Sequence, residues 1–150
     1  MNDFPKLHIN LEKIKNNTET IVNIAKRSGI EIVGVTKASC GDPNVGKAML
    51  EGGAKGLADS RISNIKRLKE KLPETSCMLL RSPMLSEISE VVQYADSSIN
   101  TELRVVKSLD KESRIQRKTH NVLLMAELGE LREGILSDEF NDLISFVNST

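Results

Sequence analysis

Apolar residues Leu11, Ile14, Ile21, Val22, Ile24 and Ala25 recur at the spacing of one helical face. Asn10 stands where a cap would start that helix, and Gly29 suits the left-handed residue that ends it. The pattern then changes period. Ile30-Glu31-Ile32-Val33-Gly34-Val35-Thr36 is a β-branched, nearly continuous apolar run, which predicts a strand covered on both faces, as in a parallel sheet. A turn-rich stretch, Ser39-Cys40-Gly41-Asp42-Pro43, leads into a helix over 43–51 that Gly52-Gly53 closes. The same unit repeats. Gly56-Leu57-Ala58 precedes a helix with Ile62, Ile65 and Leu68 on one face, and Cys77-Met78-Leu79-Leu80 precedes a helix that Ser86 would cap, carrying Ile88, Val91 and Val92. The weaker strand Ser97-Ser98-Ile99-Asn100 precedes a helix with Leu103, Val106 and Leu109. Val122-Leu123-Leu124-Met125-Ala126 is a strong strand, and Ser137 is placed to cap a last helix through Leu143, Ile144 and Val147.

Strand starts at 31, 56, 77, 98 and 122 set a rhythm of roughly 20–25 residues, which suits repeated βα units. Short, regular units favour a (β/α)8 barrel over a doubly wound sheet. Five strands cannot close eight. Residues 1–150 are therefore expected to be one α/β domain, the N-terminal portion of a TIM-like barrel truncated after about five units. An open sheet of that kind would carry unpaired edges prone to self-pairing.

Composition narrows the function. Lys and Arg number 21 against 21 Asp and Glu, so the net charge is zero and the basic footprint of a nucleic-acid binder is missing. Aromatics are 3% with no Trp, which leaves no stacking platform for single strands and requires an aliphatic core. No apolar run approaches the roughly 20 residues of a membrane span, and the polar start MNDFPKLHIN is not a signal peptide. Two distant cysteines, Cys40 and Cys77, suit a reducing, cytoplasmic setting.

In α/β layouts ligands gather at the carboxyl ends of parallel strands. That rule selects Thr36-Lys37, Asp59-Ser60-Arg61, Arg81-Ser82, Asn100-Thr101 and Glu127 onward. Lys37 is the sharpest candidate, because a lysine ending a dry strand would be partly desolvated and nucleophilic, as Schiff-base chemistry requires. On position alone, a lysine that snorkels to solvent is the plainer reading. Cys40 is close enough to line the same pocket, although a lone thiol is usually packing. Asp59, Ser60 and Arg61 could contact an anion at a helix start, with capping as the plainer role. Arg132, in Gly129-Glu130-Leu131-Arg132-Glu133-Gly134, could fork a substrate carboxylate or pair with Glu130 or Glu133. Glu127 could orient that loop or act as a base. His8 and His120 lack metal-ligand spacing, so no metal site is expected. Neither G-x-G-x-x-G nor a P-loop occurs. The basic run Lys66-Arg67-Lys69-Lys71 reads as a solvated helix face.

Taken together, Leu7-His8-Ile9-Asn10 as an opening strand, then Val33-Gly34-Val35-Thr36-Lys37-Ala38 with Cys40-Gly41-Asp42-Pro43, resemble the start of an alanine racemase-type barrel. Ala58-Asp59-Ser60-Arg61-Ile62, Leu80-Arg81-Ser82-Pro83-Met84-Leu85-Ser86-Glu87 and Leu124-Met125-Ala126-Glu127-Leu128-Gly129-Glu130-Leu131-Arg132-Glu133-Gly134-Ile135 continue it. The whole is similar to the alanine/ornithine racemase group of pyridoxal 5'-phosphate (PLP) enzymes. By that resemblance Lys37 carries PLP and is one of two bases acting on opposite faces of the substrate Cα. Cys40, Ser60 and Arg61 would adjoin the cofactor, Arg132 would hold the substrate carboxylate, and the intact protein would be a homodimer. The phosphate cup and the second base of the family come from later in the chain, so residues 1–150 alone are expected to be inactive. Two departures stand out. Ser39, Cys40 and Gly41 occupy the stretch where alanine racemases carry a tyrosine, and Met125 aligns with a lysine carbamylated in many of them. Both favour a substrate longer than alanine, such as ornithine.

The competing function is a non-catalytic barrel that stores PLP on the same lysine, and the blandest is an unrelated α/β binding domain with an exposed Lys37. The loop 129–134 favours the racemase.

Overall fold

The computed structural model describes residues 6–131 and 133–149, without the side chains at 137 and 138. Helix α1 (Leu11–Lys26) starts where Asn10 Oδ1 accepts the amide hydrogen of Lys13 at 3.0 Å, and Gly29 follows it at φ +69°. Then come β1 (Val33–Val35), α2 (Pro43–Glu51), β2 (Gly56–Asp59), α3 (Ile62–Lys71), β3 (Cys77–Leu79) and α4 (Ile88–Tyr94). The chain continues with β4 (Ser97–Asn100), α5 (Leu103–Gln116), β5 (Asn121–Leu124) and α6 (Ser137–Asn148). The five strands pair in the order β1-β2-β3-β4-β5, all parallel.

That order decides between the two α/β layouts. A doubly wound sheet reverses direction at a switch point and covers both faces with helices. Here every crossover advances by one strand in the same sense, so the helices collect on one side. Leu57, Cys77 and Leu79 on that side are sealed against Ile65, Leu68, Val91, Val105 and Leu109. On the opposite side Val33, Val35 and Leu123 remain 38%, 40% and 42% exposed. A sheet wound in this way is the wall of a barrel, and its open side is the barrel interior. A smaller cluster of Val106, Ile135 and Leu143 seats α6 against α5.

Several local expectations change. Residues 6–10 form no strand, since an opening strand needs a neighbour to supply its ladder. β1 is only three residues long and, among the described residues, nothing covers its inner face, where Val33 and Val35 stand exposed. Ser86 does not cap α4; it lies inside a 3-10 turn, and Glu87 precedes the helix. α6 begins at Ser137 itself, with Leu136 at the cap position. No residue of α1 is fully buried, and Ile21 and Ile24 are exposed. Among the described residues β1 and β5 each have a strand on one side only. The 150-residue chain is accordingly expected to self-associate through these edges, and a monodisperse monomer in sedimentation velocity would contradict this.

His120 joins a hydrogen-bond chain with two buried polar side chains of β4. Asn100 Nδ2 donates to Ser98 Oγ at 3.0 Å, the Ser98 hydroxyl lies 2.8 Å from His120 Nε2, and His120 Nδ1 lies 3.0 Å from the carbonyl of Ala95. Only the Nδ1–H tautomer completes this chain, with Ser98 donating to Nε2. Burial lowers the His120 pKa, against the opposing pull of the Ala95 carbonyl and Asp96. The folded state therefore holds the neutral ring. Its contribution to stability is full above the ordinary imidazole value of about 6.5 and is lost as pH falls from there through the lowered folded value. Thermal midpoints between about pH 7.5 and about pH 5 should fall more steeply than in His120→Gln; parallel curves would show that another group governs the slope.

Candidate active site

The end of β1 is built as a pinned turn. Thr36, fully buried, continues the ladder by donating its amide hydrogen to Ala58 O at 2.9 Å. Its own carbonyl accepts three donors from the loop beyond: the amide of Ser39 at 3.0 Å, the Ser39 hydroxyl at 3.0 Å and the amide of Gly41 at 3.2 Å. Between them Lys37–Ser39 forms one 3-10 turn. The chain leaves it through two left-handed residues, Cys40 at φ +53° and Gly41 at φ +67°. Gly41 meets both a conformational and a steric demand here, because a Cβ on it would lie 2.6 Å from Asn64 Cβ. Asp42 then caps α2, accepting from the amides of Asn44 at 2.8 Å and Val45 at 3.2 Å.

Across the strand pair stands Asp59, at the end of β2 and 0% exposed. Its Oδ2 accepts the Thr36 hydroxyl at 2.8 Å, and its Oδ1 accepts Asn64 Nδ2 at 2.9 Å and the amide of Arg61 at 3.1 Å. The expected side-chain cap on α3 is not formed: Arg61 stands at the cap position without a capping bond, and Asp59 instead holds the Arg61 amide just before the helix.

Lys37 is exposed, and its amine has no hydrogen-bond or ion-pair partner among the described residues. The expected desolvation of Lys37 is not seen among the described residues, where β1 has a strand on one side only and its inner face is uncovered. Position at the strand end is what singles Lys37 out. Cys40 is exposed beside it, its amide donating to Lys37 O at 3.2 Å and its carbonyl accepting Arg67 at 2.7 Å. Ser60 is half-buried and Arg61 exposed at the start of α3, next to Asp59. The Thr36–Asp59 contact places the segment that carries Lys37 and Cys40 beside the one that carries Ser60 and Arg61. Arg132 lies outside the described residues.

The neighbouring strand ends are also braced. Arg81 grips both oxygens of Glu87, at 3.0 and 2.7 Å. Glu127 Oε1 accepts the amides of Gly129 and Leu131, so it orients the loop that leads to residue 132. The basic face of α3 does more than contact water: Lys69 pairs with Asp96 at 2.9 Å, Lys66 lies over the Tyr94 ring, and Arg67 reaches the Lys37 turn. Asn64 is outside every sequence pattern, Thr36 is selected there only as a strand end and Arg67 only as part of a solvated face, since their partners lie 5, 23 and 27 positions away. Among the described residues no cluster of His, Cys, Asp or Glu could hold a metal ion, and no helix is long and apolar enough to cross a membrane.

Residues 9–150 match the family model described as the alanine racemase N-terminal domain. The chain belongs to that family. It is 39% identical over 136 residues to an ornithine racemase of Acetoanaerobium sticklandii, an alignment covering 91% of this chain and 38% of that protein. It is 40% identical over 132 residues to a lysine racemase of Thermotoga maritima, covering 88% of this chain and 37% of the relative. The chain thus spans well under half the length of these curated relatives. Among solved structures, an alanine racemase from a D-cycloserine-producing Streptomyces lavendulae superposes with TM-score 0.81 at 17% identity, covering 93% of this chain and 37% of that one. An alanine racemase from E. faecalis gives 0.74 at 21%, covering 95% and 39%. A D-threonine aldolase from Filomicrobium marinum gives 0.78 at 19%, covering 89% and 37%. These likenesses establish the fold of an alanine racemase N-terminal barrel. In such a barrel the face that bares Val33, Val35 and Leu123 is the interior, and Lys37 stands at its carboxyl-end mouth. A free primary amine held on a fixed turn there fits a group attached through an aldehyde.

Proposed function

We propose that the protein containing this chain is a PLP-dependent amino-acid racemase, with a basic amino acid of ornithine or lysine size as substrate. The observation that carries it is Lys37: an unpaired amine at a barrel strand end, on a turn pinned from both sides. The identity near 40% to an ornithine racemase and a lysine racemase supports the longer substrate, as do Ser39-Cys40-Gly41 and Met125 where alanine racemases carry a tyrosine and a lysine. PLP, when bound, supplies an electron sink that acidifies the substrate Cα–H. Lys37 Nζ would hold it, with Cys40, Ser60 and Arg61 beside it. The same Nζ would take or return the Cα proton on one side, while Arg132 would hold the substrate carboxylate. Inversion needs a second base on the opposite side. The intact protein is proposed to act as a cytoplasmic homodimer.

The test is racemisation of L-ornithine, L-lysine and L-alanine by the full-length protein with PLP, followed by chiral chromatography. Turnover of ornithine or lysine well above alanine is expected. PLP retained on Lys37 with no turnover of any amino acid would instead identify a PLP-holding barrel without catalysis.

A further inference from the structure

Asp59 is an expensive residue for its position. It is a carboxyl group with no exposed surface, and among the described residues no lysine or arginine pairs with it. A well-packed apolar side chain would serve stability as well or better at such a site, since a buried carboxyl must recover its lost hydration entirely from hydrogen bonds. One of its three bonds reaches the Lys37 turn directly, and the other two hold the start of α3 beside it. One fixes the hydroxyl of Thr36, the residue whose carbonyl collects the loop. Another fixes the amide of Asn64, whose Cβ is the surface against which Gly41 packs. The third holds the amide of Arg61 at the start of α3, the helix from which Arg67 reaches Cys40 O.

We propose that Asp59 is the positioning residue for Lys37: through Thr36 at one end of the turn and Asn64 at the other, it ties residues 36–41 to α3 and fixes where the amine stands at the barrel mouth. Asp59 touches neither cofactor nor substrate in this scheme. It acts through the backbone that carries Lys37. A lysine on a short exposed turn would otherwise sample many positions, and covalent capture of an aldehyde held elsewhere in the mouth requires that the amine wait at one of them. The inference rests on the reading of Lys37 as the PLP-holding lysine.

The experiment is borohydride trapping of PLP on the full-length protein, with the pyridoxyl group mapped by peptide mass, in wild type, Thr36→Val, Thr36→Ser and Arg67→Met. Valine keeps the branched shape of threonine and removes only the hydroxyl, so Asp59 Oδ2 loses its donor. The rate of labelling at Lys37, relative to other lysines, is expected to fall about tenfold in Thr36→Val, the scale of one buried hydrogen bond to a carboxyl group. Thr36→Ser should restore it, although serine lacks the methyl group that valine retains. Arg67→Met, on the exposed face of α3, should lower the rate about threefold with no loss of fold. Labelling at Lys37 that is unchanged in Thr36→Val, or lowered as far by Thr36→Ser, would overturn the proposal. If Thr36→Val does not fold, wild-type labelling in Arg67→Met overturns it. Wild-type protein that is labelled elsewhere and not at Lys37 fails the functional reading itself, which separates the two.

Discussion

Lys37→Ala is expected to remove PLP trapping at residue 37 and to lower racemisation of ornithine or lysine by about 10³-fold or more, the scale seen when a covalent-capture residue that also moves a proton is deleted. The expectation follows from two losses at one atom. Without Nζ the turn has no amine left to form a reducible imine: Thr36 offers only a hydroxyl, turned into the Asp59 bond, and Cys40 a thiol, which cannot form one. The proton on that side of Cα also loses its carrier. Folding should be almost unaffected, since Lys37 is exposed and contributes no partnered contact. The check is paired: reduction with borohydride and peptide mapping for the link, chiral chromatography for turnover, and a thermal melt for the fold. Retained trapping and turnover in a folded Lys37→Ala protein would remove the basis of the proposed function.

The second large effect is on stability. Leu57→Ala is expected to cost about 3–5 kcal/mol, near the top of the range for leucine truncation in a core. Leu57 is fully buried at the centre of the main cluster, between the sheet and α2. Its fit is set by missing atoms on the facing elements: a Cβ on Gly46 of α2 would lie 2.7 Å from Leu57 Cδ1, and one on Gly34 of β1 would lie 3.3 Å from Cδ2. Backbone meets side chain directly there, so little can relax into the space a truncation leaves. Domains hold only about 5–15 kcal/mol in total, and the thermal midpoint should fall by about 10 °C. A shift under about 2 °C would show that the helix layer collapses onto the vacated site after all.

Much of the architecture follows from local chemistry. Period-3.6 segments and short strand runs alternate five times, and the observed strands start at 33, 56, 77, 97 and 121, close to the positions that alternation predicts. Asn10 caps α1 as expected, since a cap depends only on residues three positions away. Where local signals compete, they mislead. The run 30–36 is apolar enough for a strand covered on both faces, yet coverage depends on what lies alongside, and β1 has a neighbour on one side only. Ser86 has capping chemistry, but the Glu87 carboxyl held by Arg81 already organises that turn.

The candidate site divides along the same line. Lys37, Cys40, Ser60 and Arg61 could be picked from the sequence because strand ends are where α/β folds place chemistry, and strand ends are legible from periodicity. The Asp59 network was not legible. Thr36, Asp59 and Asn64 are ordinary residues in their own segments, and their bonds span 23 and 5 positions across a strand pair and a helix start. The amino-acid sequence by itself determined the alternation of elements, the parallel order it implies and the lysine at the mouth, because each is encoded within a few turns of chain. Only the tertiary structure decided which sheet face is bare and which buried carboxyl holds the lysine's turn, because both depend on register between strands that local periodicity does not carry.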